Sequence, residues 1–193
     1  MPDIDLDFPN RQQILDIIKH VPASIITDGA EKKHNSGVYC HDIPMNPLTG
    51  NSSIDYKEAE SRGYFKIDFL NVSVYANVRD EAHLIKLMNT EPLWELLEQQ
   101  EFSELLFHLN GHHDVLAAMK PKSIEQLAMV LALIRPAKRH LIGKSWELIE
   151  QEIWKIDVTG AYGYKKSHAI SYANLVVVHM NLLSEQFSQS MDL

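Results

Sequence analysis

The chain opens on a strict alternation. Ile4, Leu6 and Phe8 take every second position, and Asp3, Asp5 and Asp7 stand between them. A period of two predicts a strand with one apolar face and one acidic face. The run Gly63 to Leu70 predicts another strand, with Lys66 and Asp68 on the face opposite Ile67 and Phe69. Between these runs, Asn10 is placed to cap a helix reaching about His20, because Ile14, Ile17, Ile18 and Val21 follow the i, i+3, i+4, i+7 spacing. Ala23–Thr27 and Gly37–Ile43 read as extended, Asp28-Gly29 as a turn, Asn46 to Asn51 as a loop, and Ile54 to Ser61 as a short helix.

From Asn71 onward the pattern is helical. One helix covers Val72 to Met88, and Pro92 starts the next. Ser123 with Gln126 forms a capping box for Ser123–Ile134. Ser145–Ile156 follows, Gly160–Gly163 breaks the pattern, and a last helix runs from His168 to about Phe187. Strands mixed with helices, then helices alone, predict an α+β domain over 1–70 and a helical region over 71–193.

Composition narrows the class. A length of 193 residues fits one domain, or one domain with a helical extension. No stretch of about 18 apolar residues occurs, so no membrane span is expected. No basic segment leads an apolar one at the N-terminus, so no secretory signal is expected. Cys40 is the sole cysteine, which precludes an intramolecular disulfide, fits a reducing cytoplasm and reads as a small buried apolar residue. The net charge is −8, whereas a protein that grips duplex DNA by itself carries a basic face. Its basic residues fall in small clusters at Lys32-Lys33, Lys120-Lys122, Lys138-Arg139-His140 and Lys165-Lys166, while Glu91 to Glu104 reads as a solvated helical face. Weak intrinsic DNA binding is expected unless a partner supplies a basic channel.

Like charges stacked on one strand face repel, and a divalent cation is the usual offset. Mg²⁺ is held by one or two carboxylates together with substrate phosphates. If the two predicted strands pair, Asp68 joins Asp3 and Asp5 in a site able to run two-metal phosphoryl transfer. The competing reading is acidic decoration of a solvated edge strand. Asp7, one pleat further on, reads as structural. Lys66 suits either a phosphate partner or a salt bridge that offsets the carboxylates. His108, His112 and His113 cluster beside Asp114 at spacing that zinc uses, but no cysteine supports a site, and a solvated helix end is the simpler reading.

These residues carry a resemblance. Pro2-Asp3-Ile4-Asp5-Leu6-Asp7-Phe8 resembles the first palm motif of the bacterial C-family DNA polymerases, the DNA polymerase III α subunit, and Lys66-Ile67-Asp68-Phe69-Leu70 resembles the second. His34-Asn35-Ser36-Gly37-Val38 resembles the family's His-Ala-Ser-Gly-Val stretch, and Leu131 to Pro136 its fingers motif. Tyr162 to Ala173 resembles its Tyr-Gly-Phe-Asn-Lys-Ser-His-Ala motif. The five segments stand in family order across almost the whole chain.

The resemblance implies a reduced polymerase β-like nucleotidyltransferase palm over 1–70 and a helical fingers-like region over 71–193. It implies a DNA-directed DNA polymerase that attaches a deoxynucleotide to a primer 3′-hydroxyl, with Asp3, Asp5 and Asp68 as catalytic ligands of two Mg²⁺ ions. Lys66, Arg135, Lys166, Ser167, His168 and Arg11 are its implied substrate contacts, and primer-template DNA and a dNTP its implied partners. The family's glycine-serine motif lies upstream of the first palm motif, so the expectation is a split polymerase whose second chain supplies it, or else a minimal nucleotidyltransferase that binds nucleotides by a reduced route. The interval from Asp5 to Asp68 is shorter than in the family, which adds to that expectation. Gln186-Leu193 loosely resembles a sliding-clamp-binding peptide. The alternative is a non-catalytic replication-associated binding module derived from a polymerase. Retention of Asp3, Asp5 and Asp68 argues against it, because an unused charge cluster is costly to keep.

Overall fold

The computed structural model describes residues 4–155 and 164–191, the last two of these by backbone alone. Asp3, the Gly160–Gly163 break and the end of the tail lie outside the described residues. The chain divides into two compact units, Met1–Asn77 and Val78–Leu193. The first is α+β around a small mixed sheet and the second is helical.

The first unit runs β1 (Ile4–Phe8), α1 (Arg11–Leu15), β2 (Val21–Thr27), β3 (Ala30–Tyr39), α2 (Tyr56–Ser61) and β4 (Ile67–Asn71). Among the described residues the sheet has four strands in the order β1-β4-β3-β2, with β1 parallel to β4 and the other neighbours antiparallel. Asp28 and Gly29 both have positive φ, 51° and 78°. That is the requirement of a two-residue hairpin matched to strand twist, and it turns β2 into β3.

Each sheet face has its own helix. Phe8, Val38, Ile67 and Phe69 point to one side, where Ile14, Leu15 and Ile18 cover them, and the Phe8 and Phe69 rings are 5.0 Å apart. Ala23 and Tyr39 point to the other, packed with Ile43, Ile54 and Ala59 of the α2 region. Asp55 fixes α2 there: its carboxylate caps the helix at Lys57 N–H, 2.9 Å, and accepts from Ile26 N–H of β2, also 2.9 Å. The first helix is shorter than the spacing predicts. Ile17 is 80% exposed, and Val21 pairs with Tyr39 in the sheet instead of extending the helical stripe. Sheet pairing outweighs a marginal short helix. Cys40, read as buried, is exposed just past the end of β3.

The second unit contains α3 (Glu81–Asn89), α4 (Gln100–Ser103), α5 (His113–Met119), α6 (Ile124–Leu133), α7 (Trp146–Glu152) and α8 (Lys166–Met191), with tight 3₁₀ turns at Trp94–Glu98 and Pro136–Leu141. From Leu127 to Leu133 every residue of α6 is buried, so it is the central helix of this unit. Ala169, Ala173, Val176, Val177 and Met180 of α8 share its core. The capping box is displaced by one residue. Ser123 Oγ accepts from Gln126 N–H at 3.2 Å, but Gln126 reaches back to Lys122 N–H at 2.8 Å. The helix expected from Pro92 is a 3₁₀ turn followed by the short α4. The last helix starts at Lys166 and continues to Met191, its last turns supported by Phe187 against Phe102, ring centres 6.3 Å apart. Among the described residues no helix is long and apolar enough to cross a membrane.

Candidate active site

The first and second predicted strands are neighbours. β1 and β4 pair in parallel with Asp5 directly opposite Asp68, Leu6 opposite Phe69 and Asp7 opposite Leu70. Register-matched residues share a face, so Asp5, Asp7 and Asp68 lie on the side away from Phe8 and Phe69. Asp5 and Asp7 are exposed on the edge strand, and Asp68 is more enclosed, its side chain 13% accessible. Partial desolvation, and then the Asp5 charge, raise the Asp7 carboxyl above its ordinary value.

The other side of Asp68 is β3, where Gly37 stands opposite it. The register of β3 against β2 breaks between Pro22 and Ser24, so the partners jump from Val38 to Lys33. This bulge re-aims the side chains of 34–37, as bulges do beside functional sites. Ser36 Oγ donates to Asp68 Oδ1 at 2.7 Å, and Lys66 Nζ donates to Asp68 Oδ2. Gly37 makes room for that lysine: a Cβ there would stand 2.7 Å from Lys66 Cδ and 3.0 Å from His34 Nδ1.

His34 is neutral in this arrangement. Its Nδ1 accepts from Gly37 N–H at 2.9 Å and so carries no proton, although Asp68 Oδ1 is 3.8 Å away. Burial lowers its pKa and the Lys66 charge lowers it further, while Asp68 pulls the other way. The ring packs edge-on against Tyr56, centres 5.1 Å apart. Two residues beyond Gly37, Tyr39 is fully buried and its hydroxyl has no hydrogen-bond partner. Burial, with the charges of Asp55, Asp68 and Glu60, pushes that phenol up to about 12.

Arg11 is committed elsewhere. Its backbone N–H donates to Asn71 Oδ1 at 2.8 Å and its guanidinium to the Phe69 carbonyl at 3.0 Å, which ties α1 to β4. In the second unit, Arg135 lies 4.7 Å over the Tyr164 ring, and Tyr164 stacks on Tyr172 at 6.1 Å. His108 stands edge-on to Tyr172 at 4.6 Å and is held neutral by burial and then by the Arg135 charge. Arg135 Nε and His108 Nε2 are buried without hydrogen-bond partners, and His108 has a left-handed backbone, φ 64°. Lys166 lies 6.0 Å from the Trp154 ring. The last helix, expected from His168, starts at Lys166, so Lys166, Ser167 and His168 all lie in its first turn.

The basic cluster at 138–140 is structural. Lys138 is buried, and its ammonium caps the end of α7 by donating to the carbonyls of Glu152, 2.9 Å, and Lys155, 2.8 Å. Arg139 donates to the Ile134 carbonyl at 3.2 Å. Among the described residues no three His, Cys, Asp or Glu side chains converge as a metal-holding group.

Sequence reasoning singled out Asp5, Lys66 and Asp68 but gave no role to His34, Ser36, Gly37 or Tyr39. The signal was the His34–Val38 stretch itself, whose bulge carries it onto Asp68. No family model matches the chain, and no curated protein matches it either.

Proposed function

We propose that the chain is the metal-binding catalytic part of a C-family DNA polymerase, built on a polymerase β-like palm. In this reading it transfers deoxynucleotides to a primer 3′-hydroxyl together with a partner chain that supplies the glycine-serine, triphosphate-binding element. The observation that carries the reading is the register match of Asp5 with Asp68 on one face, with Ser36 and Lys66 on the second carboxylate. Mg²⁺ held by Asp5 and Asp68, with Asp3 as the further implied ligand, would neutralise phosphate charge and favour the ionised primer hydroxyl.

The chain's own residues then have distinct tasks. Ser36 keeps Asp68 in one rotamer. Lys66 neutralises Asp68 in the resting site and transfers its charge to a phosphate oxygen when substrate arrives. Lys166 and Ser167 place a cation and a hydroxyl in the first turn of a long helix, a setting that suits phosphate, and His168 belongs to the same turn. Arg135 lies over the Tyr164 ring, which stacks on Tyr172, and in this reading that cationic and aromatic group contacts the nucleotide or template.

Primer extension with Mg²⁺, alone and with candidate partner chains, tests the reading. Asp5→Asn and Asp68→Asn should each lower the rate by about 10³-fold, roughly 4 kcal/mol at the transition state. Extension that survives both substitutions together would overturn it. The non-catalytic alternative gains from one observation: Lys66 already neutralises Asp68. It predicts no heat of binding when Mg²⁺ and a dNTP are titrated into the chain.

A further inference from the structure

Lys66 stands just before β4, two residues ahead of Asp68, and the two side chains share a face of the sheet. Two residues of extended chain span about 6.7 Å, which the lysine stem covers when it lies along the strand. It does so here. The ammonium donates to Asp68 Oδ2, and the two side chains are only 17% and 13% accessible. The stem passes over Gly37, which faces Asp68 from β3. A Cβ on Gly37 would stand 2.7 Å from Lys66 Cδ and 3.1 Å from Cγ. Gly37 is not among the glycines with positive φ, so a glycine here makes room for the stem and does not serve a turn.

Lys138 gives the contrast. It is buried and anchored by two backbone carbonyls, those of Glu152 and Lys155. Lys66 has one hydrogen-bond partner among the described residues, and that partner is a carboxylate of the candidate site. Ser36 Oγ donates to the other oxygen of the same carboxylate at 2.7 Å. Asp68 thus has a donor on each oxygen, and its charge is matched from within the chain. A lysine held by a single ion pair on such a face can be released without unmaking the fold around it.

We propose that Lys66 is an internal cation that gates Asp68, so that the ammonium and a divalent metal hold this carboxylate by turns. The inference rests on the reading of Asp5 and Asp68 as metal ligands. Those register partners supply hard oxygen donors of the kind Mg²⁺ takes, and the ammonium occupies one of the two. While Lys66 is in place, a metal at the same carboxylate faces the ammonium's charge. Once Lys66 lifts away, Asp68 Oδ2 is open to the metal, and the ammonium can turn to a phosphate oxygen of the nucleotide. Metal and triphosphate then favour the same open state, so each tightens the other. A gate shut in about nine molecules of ten weakens the apparent metal affinity about tenfold. Gly37 sets that balance, because it lets the stem lie across the sheet.

The test titrates Mg²⁺ into the full chain at constant ionic strength and follows the amide resonances of residues 36, 37 and 68. Lys66→Met keeps the stem and removes the charge, and should bind Mg²⁺ about tenfold more tightly. Gly37→Ala crowds the stem but keeps the charge in the chain, and should tighten binding by about threefold or more. Lys32→Met removes an exposed charge from the same unit and should change the affinity by less than about twofold. Asp68→Asn should remove the binding. A second readout follows the lysine itself in the parent chain: acetylation of Lys66 by acetic anhydride, scored by mass spectrometry, should quicken at least about fivefold in Mg²⁺, while acetylation of Lys32 keeps its rate. Unchanged or weaker Mg²⁺ binding by Lys66→Met, or acetylation of Lys66 that Mg²⁺ does not quicken, overturns the gate and leaves the carboxylate site standing. So does a gain from Lys32→Met as large as that from Lys66→Met, because a diffuse field would then account for both. Absence of Mg²⁺ binding in both the parent and Lys66→Met overturns the gate as well. Primer extension that persists in that case keeps the nucleotidyl-transfer reading, and its absence removes both.

Discussion

Each oxygen of the Asp68 carboxylate has its own donor, Ser36 on one and Lys66 on the other. Beside them His34 uses its bare Nδ1 to hold the Gly37 amide. Protonation of His34 would break that bond, so its NMR titration should run with a midpoint below the ordinary value of 6.5 and should move the Gly37 amide resonance with it. A midpoint above 6.5 would mean that Asp68, and not burial, governs the ring. Tyr39 gives a second pH test. Its unfolded phenol ionises near 10 and its folded one at about 12, so the unfolded chain gives up the proton first. Stability tied to the neutral phenol is complete below pH 10 and lost as pH rises through about 12, by roughly 2–3 kcal/mol in all. Urea unfolding of Tyr39→Phe should show that loss removed, a difference of about 1 kcal/mol from the parent chain by pH 11. At pH 7 the variant should be as stable as the parent or up to about 1 kcal/mol more so, because a buried hydroxyl without a partner is a cost.

The elements carry two further tests. In β3, Gly37→Ala places a methyl against the Lys66 stem and His34. Lys66 is flexible, so the expected cost to folding is only about 1–2 kcal/mol by urea midpoint; if the chain performs the proposed nucleotidyl transfer, its rate should fall more steeply as Lys66 is pushed off Asp68. In the second unit, Asn181 of α8 is buried and donates to the carbonyls of Leu87, 2.8 Å, and Thr90, 2.9 Å, where α3 ends. Asn181→Ala strands two carbonyls and should cost about 2–3 kcal/mol, read from the same urea curves. These elements also show what the sequence could disclose. Period-two alternation placed Asp5 and Asp68 on faces opposite Phe8 and Phe69, because that period allows no other assignment. It could not show that β1 and β4 are neighbours, since parallel pairing is long-range. It hid Ser36 and His34 because the bulge at 34–37 breaks the alternation that would reveal them. For Lys138 the sequence records only a charge in a small basic cluster, and the packed structure shows it closing a helix end.

Across the whole molecule the balance of charge is acidic, −8 in all, and both 1–77 and 78–193 hold more carboxylates than lysines and arginines. Members of two of the sequence's basic clusters are also committed within the structure, Lys138 and Arg139 to backbone carbonyls and Lys120 to Glu98. Lys32 and Lys33 remain exposed on β3. DNA affinity at physiological salt comes mostly from cations set against phosphates, and each such contact adds about −0.9 to the slope of log affinity against log salt. A chain with few available cations should bind weakly and with a shallow slope. Fluorescence anisotropy with a primer-template duplex at about 150 mM salt should give a Kd weaker than about 10 µM for the chain alone. If a partner chain completes the polymerase, adding it should tighten binding and steepen the slope together, because the new phosphate contacts are its own. Binding by the chain alone tighter than about 100 nM at that salt would mean that its cations form a concentrated face despite the net charge.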